Sequence, residues 1–571
     1  NIHTYSLVVD ASEGLQQAPA SRALTEDASH NIKSSWANED EILAYVINDG
    51  LEATNYSTIT NKKLGNGNRF DGEIASKKAI TTSSQIAFLY PGKAAQGNDK
   101  TITPVVLSKE RSSLFHEESD KTQELVALNL TQQDGTAETI GNRFDFQWTK
   151  QSPKSVSGKK VNVNIGKMKR LVTIWGLRFT DDKNKPLANI DSIYVSNVKG
   201  SDVLKLSDGT FVDGNPEDEM MNVVLKPKAG KKFSSVGGNY TYVAFLPGTY
   251  EDVVVTAYVG SKVYQKSYSS ITFGSDKIYR TDLLKMEDTK QKAYVEVQGI
   301  KWATGNFIHY KEGSQEYWGI APTQWWISRR AVMLNSSRKE VSSGGILQSS
   351  QFESSPEQTT DDVDLFRFGS IAKALSFKGL INGADAWGKT EISQQISPDG
   401  KYGDIAWYYT KDNKRKYRMP TEAELKTLYT TAHVIPAYCY TDKGTVVYGG
   451  FFTTNNGERK KLFPTKARRY DKYTNVTALV RANKGLFLPV TGRRLPGSAT
   501  IGYRDMAYGA GAYGQYMSST SALLGWDFFF GPSEWNFSKN DKGQAKAIRP
   551  VLVEESATGS DNSFAPFANI K

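Results

Sequence analysis

The sequence predicts a mostly β protein with an α+β C-terminal part. Aromatic residues make up 11% of the chain and glycines number 48, a composition that suits pleated surfaces and tight turns. Along residues 1–292, short apolar runs alternate with turn residues. The longer helical patterns that connect parallel strands are missing there, which favours antiparallel sandwiches. Helix signals appear only in the remaining part.

The length of 571 residues exceeds what one hydrophobic core supports, so several domains are expected. The Lys/Ser/Gly-rich stretch 149–160 is interpreted as a linker, and the charged stretch 285–292 as a second boundary. We therefore predict four segments, which are two β domains, an α+β domain and a flexible tail: 1–153, 154–292, 293–555 and 556–571.

Alternating apolar and polar residues identify the first strand at Thr4–Val9, in which Tyr5, Leu7 and Val9 share one face. Further strands follow the same criteria in the two β domains. They are expected at Ile32–Trp36, Ile42–Ile47, Gln85–Tyr90, Thr103–Leu107, Phe144–Trp148, Val161–Ile165, Leu171–Leu177, Ser192–Val195, Tyr240–Phe245, Val253–Val259 and Val263–Tyr268.

The third region differs in composition, because eight of the 11 tryptophans lie beyond residue 293. Thr421 and Glu424 form a capping-box pattern, which predicts a helix over Glu422–Thr431 with Leu425 and Leu428 on one face. A second helix is expected over 371–380.

Cysteine and histidine usage argues against several kinds of site. Cys439 is the single cysteine, so neither an intrachain disulfide nor a Cys-type zinc site can form. The histidines, five in all, lack metal-ligand spacing. No run of 18 apolar residues is present. The chain begins at Asn1, and we expect that an N-terminal piece precedes it in the precursor.

The formal net charge is +10, from 71 basic and 61 acidic residues, with a pI near 9.1. Nucleic acid therefore has to be considered as a partner. The densest basic runs, Lys411–Lys416 and Glu458–Lys461, lie on no recognisable base-reading element. A solvated surface is the preferred interpretation, and we predict no nucleic-acid partner.

The candidate catalytic motifs lack the structural surroundings that their chemistry requires. Gly383–Thr390 matches the phosphate-binding loop pattern, but no strong strand precedes it and Pro398 follows too soon for a long helix. Cys439 lies in an apolar setting with no activating neighbour, and no G-x-S-x-G motif occurs. We predict that the protein is not an enzyme.

Acidic loops at Asp208, Asp213–Glu219 and Asp399–Asp404 supply oxygen ligands, but none has the EF-hand spacing. Plain turns are the preferred interpretation. No resident cofactor or metal is predicted, and calcium at one of these loops stays an open alternative.

Clustered tryptophans in the third region are the candidates for ligand binding. Sugars stack on exposed aromatic rings while polar neighbours bind their hydroxyls. The candidates are Trp325, Trp326, Trp526 and Trp535. The competing interpretation is that each ring belongs to a core.

Residues 1–290 resemble the fimbrillin family, the pilus subunits of Bacteroidales. The resemblance rests on the strand TYSLVVDA, the loop ending at Ser21–Thr25, the segment SSWANEDEILAYV, and the strands at Leu171–Leu177 and Ile190–Val195. It implies two transthyretin-like β-sandwiches and a lipoprotein precursor exported to the outer membrane. It further implies proteolytic cleavage between Arg22 and Ala23, which removes the strand carrying Tyr5, Leu7 and Val9.

The third region resembles a C-type-lectin-like domain and the major paralogous domain of Fibrobacter. Five segments carry this resemblance: Val297–Asn306, Tyr417–Leu428, Leu486–Gly492, Tyr516–Thr520 and Ala547–Val551. The chain departs from the calcium-dependent lectins, since it lacks an E-P-N or Q-P-D motif followed by W-N-D.

These resemblances imply a cell-surface adhesion protein, a fimbrial subunit at the pilus tip. Other pilus subunits would be its partners, with a glycan or host surface protein bound by the third domain and a lipid anchor on the precursor as its membrane contact. Removal of residues 1–22 would strip an edge strand, and a donor strand would fill the groove. A non-polymerising surface glycan-binding lipoprotein is the alternative. An enzyme like those that generate formylglycine is disfavoured, because Cys439 stands alone.

Overall fold

The computed structural model describes most of the chain. The residues that it describes are 1–11, 24–34, 36–50, 56–64, 67–105, 124–212, 219–327, 332–334, 340–343, 364–371, 392, 394, 396–444, 446–457, 474–491, 514–521, 525–530, 535–540 and 546–566. They form two compact units, Asn1–Lys290 and Gln291–Lys571. The predicted mostly β fold is confirmed.

Strands account for nearly all regular structure of the first unit. They are β1 (His3–Asp10), β2 (Leu24–Glu26), β3 (Ile32–Ser34), β4 (Glu41–Val46), β5 (Ser57–Leu64), β6 (Gly67–Ser76), β7 (Ile86–Tyr90), β8 (Ile102–Val105), β9 (Leu125–Asn129), β10 (Gln132–Gln133), β11 (Gln147–Gln151), β12 (Ser155–Ser157), β13 (Lys160–Asn164), β14 (Lys169–Arg170), β15 (Thr173–Leu177), β16 (Phe179–Thr180), β17 (Ser192–Ser196), β18 (Ser201–Lys205), β19 (Phe211–Val212), β20 (Asn222–Leu225), β21 (Thr241–Phe245), β22 (Gly248–Val259), β23 (Lys262–Phe273), β24 (Ile278–Arg280), β25 (Leu284–Lys285) and β26 (Glu287–Asp288).

Short helical turns complete the first unit. They are Gly92–Ala95, Ala137–Thr139, Ile140–Phe144 and Val236–Gly238.

A nine-stranded sheet with the order β12-β13-β1-β6-β5-β4-β7-β11-β14 forms the first layer. Strand β4, in the middle of this sheet, is buried on both faces. Leu43 and Tyr45 point into a core shared with β8 and β9, whereas Ile42 and Ala44 point into the core that surrounds β1. Opposite faces receive alternate residues because the side-chain period of a strand is two.

Two further sheets, formed by residues later in the chain, pack against each other. The sheet β10-β20-β17-β22-β23-β26 packs on β21-β15-β24. Trp175, Val195, Val223 and Phe245 belong to the core cluster between them. Trp175 is 2% exposed and makes an edge-to-face contact with Phe245 at 6.4 Å between ring centroids. This arrangement is a β-sandwich.

The interpretation of 149–160 as a linker is wrong. Residues 147–151 form β11, and Ser155–Ser157 with Lys160–Asn164 form the hairpin β12–β13, which joins the first sheet through β1. One core cluster also includes residues from Ile32 to Ile278. A domain boundary near 153 therefore stays a prediction, with a continuous core on both sides of it.

The second unit combines small sheets with short helices, Ile405–Thr410, Glu422–Thr430 and Thr477–Arg481. Its strands are β27 (Tyr294–Val297), β28 (Ile300–Ala303), β29 (Phe307–Glu312), β30 (Gln315–Ile320), β31 (Val332–Leu334), β32 (Glu340–Ser343), β33 (Arg415–Arg418), β34 (His433–Tyr440), β35 (Val446–Thr453), β36 (Thr474–Asn475), β37 (Leu486–Pro489), β38 (Gly514–Ser521), β39 (Gly525–Phe530), β40 (Trp535–Asn540) and β41 (Val551–Glu555).

The predicted capping box is present in the second unit. Thr421 accepts from the backbone N–H of Glu424, and the Glu424 carboxylate accepts from the backbone N–H of Thr421. The helix expected over 371–380 lies outside the described residues, apart from its first position.

Candidate assembly and ligand-binding sites

Strand β1 lies inside the first sheet and is hydrogen-bonded on both sides. It runs antiparallel to β6, with Leu7 opposite Gly72, and parallel to β13, with Leu7 opposite Val161. The expectation that β1 is an edge strand is therefore wrong. Strand β1 is not at the edge because β13 pairs with the side of β1 that faces away from β6, and β12 follows β13 at the end of the sheet.

The inward face of β1 is almost completely buried. Tyr5 is 8% exposed, and Leu7 and Val9 are 0% exposed. The Tyr5 hydroxyl accepts a hydrogen bond from the backbone N–H of Ile80 at 3.2 Å. All three side chains belong to one core cluster together with Phe70. We call this position, between β6 and β13, the β1 slot.

The predicted cleavage point, Arg22 and Ala23, lies outside the described residues. The described chain leaves the slot at Ala11, which is 0% exposed, and resumes at Leu24 in β2. Strand β2 pairs with β3 in a separate two-stranded sheet. Cleavage between Arg22 and Ala23 stays a prediction.

The C-terminal segment 556–566 is anchored within the second unit. Phe564 forms a parallel β-bridge with Ile320, and its ring makes an edge-to-face contact with Tyr417 at 6.3 Å between centroids. The backbone N–H of Ile320 donates to the carbonyl of Ser563 at 2.7 Å, and Ser563 is 0% exposed. Ser563 and Phe564 are therefore packed against their own unit, residues 557–562 are exposed, and the flexible character of the tail stays a prediction.

Four of the five segments that carry the lectin-like resemblance meet at one buried polar network. Arg549 donates to the Asn306 side chain at 2.7 Å and to the Gln324 carbonyl at 2.9 Å. Asn306 donates to the Tyr516 hydroxyl at 3.3 Å, which itself donates to the Pro489 carbonyl at 2.7 Å. The fifth segment connects to Tyr516–Thr520, since the Ser519 backbone N–H donates to the Pro420 carbonyl at 2.8 Å. This network organises the core and leaves no open ligand surface at these atoms.

Trp325 and Trp326 are held by protein partners. Trp325 is 6% exposed, and the Arg481 guanidinium lies 4.7 Å from its ring centroid. The Trp326 indole N–H donates to Asp364 at 2.8 Å. Trp325 is therefore a core residue, as the competing interpretation of the sequence holds, while Trp326 is half-buried.

Trp526 and Trp535 lie on neighbouring strands of the β38-β39-β40 sheet. The backbone of Trp526 pairs with Lys539, and that of Trp535 with Phe530. Both residues therefore lie on the β39–β40 hairpin. Their role as ligand-binding residues stays a prediction.

The described acidic loops use their carboxylates internally. Asp208 accepts from the backbone N–H of Thr210 at 2.9 Å, and Asp399 accepts from the backbone N–H of Lys401 at 3.2 Å. Asp404 is fully buried and caps the helix Ile405–Thr410. Within the described residues, His, Cys, Asp and Glu form no group of three that could hold a metal. The stretch 213–218 lies outside them.

The remaining sequence motifs provide no catalytic group in the described part of the chain. Cys439 is fully buried, and this burial raises the pKa of its thiol well above the ordinary value. Gly383–Thr390 lies outside the described residues. Among the helices in the part of the chain that the structure describes, none has the length and apolar character to cross a membrane.

Sequence reasoning predicted the strand over Val161–Ile165, which the structure shows as β13, but it missed the hairpin partner β12. Val161 and Val163 are buried and alternate with the polar Asn162, which is a strand signal. Ser157 and Lys160 enclose a two-residue turn with Gly158 at φ +57°. This turn is typical of a hairpin, so the signal was present within the stretch interpreted as a linker.

Three solved structures show similarity to this chain. A candidate cell adhesion protein from Bacteroides ovatus has 12% identity, covering 51% of this chain and 97% of that chain, with a TM-score of 0.31. A fimbrial assembly protein from Parabacteroides distasonis has 11% identity, 56% and 96% coverage, and a TM-score of 0.22. A candidate polysaccharide-binding protein from Bacteroides thetaiotaomicron has 11% identity, 45% and 76% coverage, and a TM-score of 0.23.

No protein-family model and no curated protein matches the chain. The solved neighbours are proteins of adhesion and fimbriae by name. Their TM-scores are below 0.5, so the proposals below depend on the geometry of this chain.

Proposed function

We propose that this chain is a cell-surface adhesion protein of the outer membrane that becomes a pilus subunit by exchange of its first strand. The observation that carries the proposal is the β1 slot. A single strand, joined to the rest of the unit through the segment that contains Arg22, fills a position with a ladder on each side. A strand that is cut from its chain can be replaced by one from another subunit.

The energetics favour such an exchange over an empty slot. Loss of β1 would expose core around Leu7 and Val9 and leave β6 and β13 each with an unpaired edge. Burial of one large apolar side chain contributes about 1.5–3 kcal/mol. An incoming strand would recover this burial and the backbone hydrogen bonds of both ladders.

The anchored C-terminal segment supports a position at the pilus tip. A shaft subunit has to offer a strand to its neighbour. Residues 556–566 are engaged by their own unit, through the Phe564–Ile320 bridge and the buried Ser563. A subunit that accepts a strand without offering this segment fits the end of a fibre. Its second unit would then bind a glycan or a host protein, with Trp526 and Trp535 as candidate contacts.

The proposal is tested by cleavage and mixing. The full chain and its Arg22→Ala variant are treated with an Arg-specific protease and mixed with candidate shaft subunits. Assembly is measured by light scattering and electron microscopy. We expect assembly of the cleaved wild-type chain but not of the Arg22→Ala chain, while Arg178→Ala, at an arginine of the same unit outside the β1 slot, assembles like wild type.

Equal assembly of the Arg22→Ala chain would refute cleavage at this position. If the cleaved wild-type chain never assembles but still binds glycans on an array, the alternative of a non-polymerising surface glycan-binding lipoprotein is favoured. Loss of array binding in Trp526→Ala would locate the ligand on the β39–β40 hairpin.

A further inference from the structure

The side chains that fill the β1 slot decrease in size along the chain. In order they are Tyr5, Leu7, Val9 and Ala11, and each is 8% exposed or less. All four belong to the same core cluster. Because alternate residues of a strand share one face, an extended segment that replaces β1 has to place four side chains in these four positions.

The position of Tyr5 suits an aromatic ring that carries a hydroxyl group. Tyr5 lies opposite Ile74 on β6, and Ile74 is 1% exposed. The Tyr5 hydroxyl accepts from the backbone N–H of Ile80 at 3.2 Å. A buried N–H that loses its acceptor raises the free energy of the folded state. Phenylalanine would therefore match the shape of this position but leave the Ile80 N–H without this acceptor.

The position of Leu7 is bounded by both neighbouring strands. Leu7 lies opposite Gly72 on β6 and opposite Val161 on β13. A Cβ atom on Gly72 would lie 2.5 Å from Cγ2 of Ile59, so Ile59 already covers this glycine. The space beside Leu7 is therefore closed on both sides by side chains of the core.

The position of Val9 is enclosed in the same way. Val9 lies opposite Phe70 on β6 and Val163 on β13, which are 0% and 2% exposed. Substitutions that conserve volume are tolerated best in such packed surroundings. A side chain close to valine in size is therefore required here.

Ala11 lies at the end of the slot against a buried polar network. Its backbone N–H donates to the Asn68 carbonyl at 3.0 Å. The Asn68 side-chain oxygen accepts from Asn61 at 2.9 Å, and Asn61 also donates to the Ala37 carbonyl at 2.8 Å. Buried hydrogen-bonded networks of this kind are rigid. Because Ala11 is 0% exposed, a larger side chain would have to displace this network.

The small end of the slot also determines the register of the strand. A shift by one residue would turn the apolar side chains to the opposite face. A shift by two residues would keep the faces but bring Val9 to the position of Ala11, where there is no room for it. The opposite face makes no such demand, since Thr4, Ser6 and Asp10 are exposed.

We propose, on the basis of the strand exchange above, that the β1 slot selects its donor by the size order of alternate side chains. The order is an aromatic ring with a hydroxyl, then leucine, valine and alanine. The donor is an extended segment of another subunit that carries this order, and the position of Ala11 fixes its register. Overpacking at that position is unfavourable.

Competition between peptides for the slot tests the proposal. The full chain receives a site for a sequence-specific protease between Gln16 and Gln17, so that the cut does not depend on Arg22. The cut chain is incubated with an excess of a labelled peptide of residues 4–11 until the fluorescence anisotropy is constant. Unlabelled peptides then displace it. The uncut chain, whose own β1 stays tethered, should bind no labelled peptide.

The peptide variants separate size from composition. Ala11→Leu should weaken binding by about tenfold or more. Ser6→Leu adds bulk to the exposed face instead and should stay within about twofold of the wild-type peptide. Tyr5→Phe should bind about threefold more weakly, because it lacks the acceptor for the Ile80 N–H. The double variant Tyr5→Ala, Ala11→Tyr has the same composition in the wrong order and should not displace the labelled peptide.

The outcomes distinguish this selection from the exchange itself. If the wild-type peptide does not bind the cut chain, strand exchange is refuted and the selection with it. If it binds, and the Ala11→Leu peptide or the double variant binds equally well, exchange stands but selection by size order is overturned. Equal weakening by Ser6→Leu and Ala11→Leu would also overturn it, because the two faces would then be equivalent.

Discussion

Arg549 donates from Nε to the Asn306 side-chain oxygen over 2.7 Å, although 243 positions separate the two residues. Both are buried, and the arginine is 0% exposed. Its other bonds reach the Ala303 carbonyl and the Gln324 carbonyl. Burial lowers the pKa of Arg549 to about 10, so the side chain is still a cation at neutral pH. The buried positive charge of Arg549 is thus stabilised by hydrogen bonds to the oxygen atoms of uncharged groups.

Replacing this arginine should destabilise the second unit strongly. Arg549→Met leaves the buried oxygens of Asn306 and Gln324 without their donor, and each unsatisfied group costs about 1–3 kcal/mol. We expect a loss of about 3 kcal/mol or more in the free energy of unfolding, measured by urea denaturation. Arg69→Met, at an exposed ion pair with Asp71, should cost less than about 1 kcal/mol. Equal effects of the two variants would contradict a central role for Arg549.

The β1 slot should be sensitive to substitutions on one face only. Leu7→Ala removes a completely buried side chain, for which a loss of about 2–5 kcal/mol is typical. Ser6→Ala, on the exposed face of the same strand, should change stability by less than about 0.5 kcal/mol. Chemical denaturation followed by fluorescence checks both values. A small effect at Leu7 would mean that β1 contributes little to the first core.

Asp202 should make the stability of the first unit depend on pH. Burial raises the pKa of Asp202 to about 7, even though Lys199 lies 3.2 Å away. Because the folded pKa is above the unfolded value, the contribution of Asp202 is fully present below about pH 4 and is lost as the pH rises through about 7. A shift of about 3 units corresponds to about 4 kcal/mol at most.

Asp202→Asn provides the measurement. Its free energy of unfolding, compared with that of wild type between about pH 4 and pH 8, should rise relative to wild type as the pH increases. The variant keeps an oxygen acceptor for the backbone N–H of Val203, which donates at 2.7 Å in the wild-type chain. A difference that is constant over this range would rule out titration of Asp202.

Gly209 should tolerate no side chain. It has φ +71°, and a Cβ atom there would lie 2.4 Å from the Trp148 ring. Gly209→Ala therefore combines backbone strain of about 1 kcal/mol with a clash against a ring whose N–H donates to the Leu206 carbonyl. We expect a total loss above about 2 kcal/mol. Gly158→Ala is the matched control for thermal denaturation, since it has φ +57° and open space around it.

Local patterns in the sequence predicted many elements of the structure. The apolar stretch Thr173–Leu177 forms a buried strand, and the capping box at Thr421 starts the helix Glu422–Thr430. Each depends on residues within a few positions of one another, so propensity and spacing are sufficient to identify it.

Long-range pairing could not be predicted in the same way. Strand β1 was expected at an edge because its pairing with β13 depends on residues more than 150 positions away. The stretch 149–160 was interpreted as a linker because it is rich in Gly, Ser and Lys. The same residues also suit a solvent-facing hairpin, so composition alone could not distinguish the two. Similarly, the composition around Trp325 does not reveal that Arg481 covers its ring.

The sequence by itself determined a mostly β chain whose longer helices lie in the C-terminal part, because alternation and capping are local properties of the residues. Only the tertiary structure decided that Tyr5, Leu7 and Val9 fill a slot between two strands, and that Phe564 is packed against its own unit. Burial and pairing of these residues depend on which distant strands become neighbours. That choice is made by the packing of the whole core, which no single stretch of sequence contains.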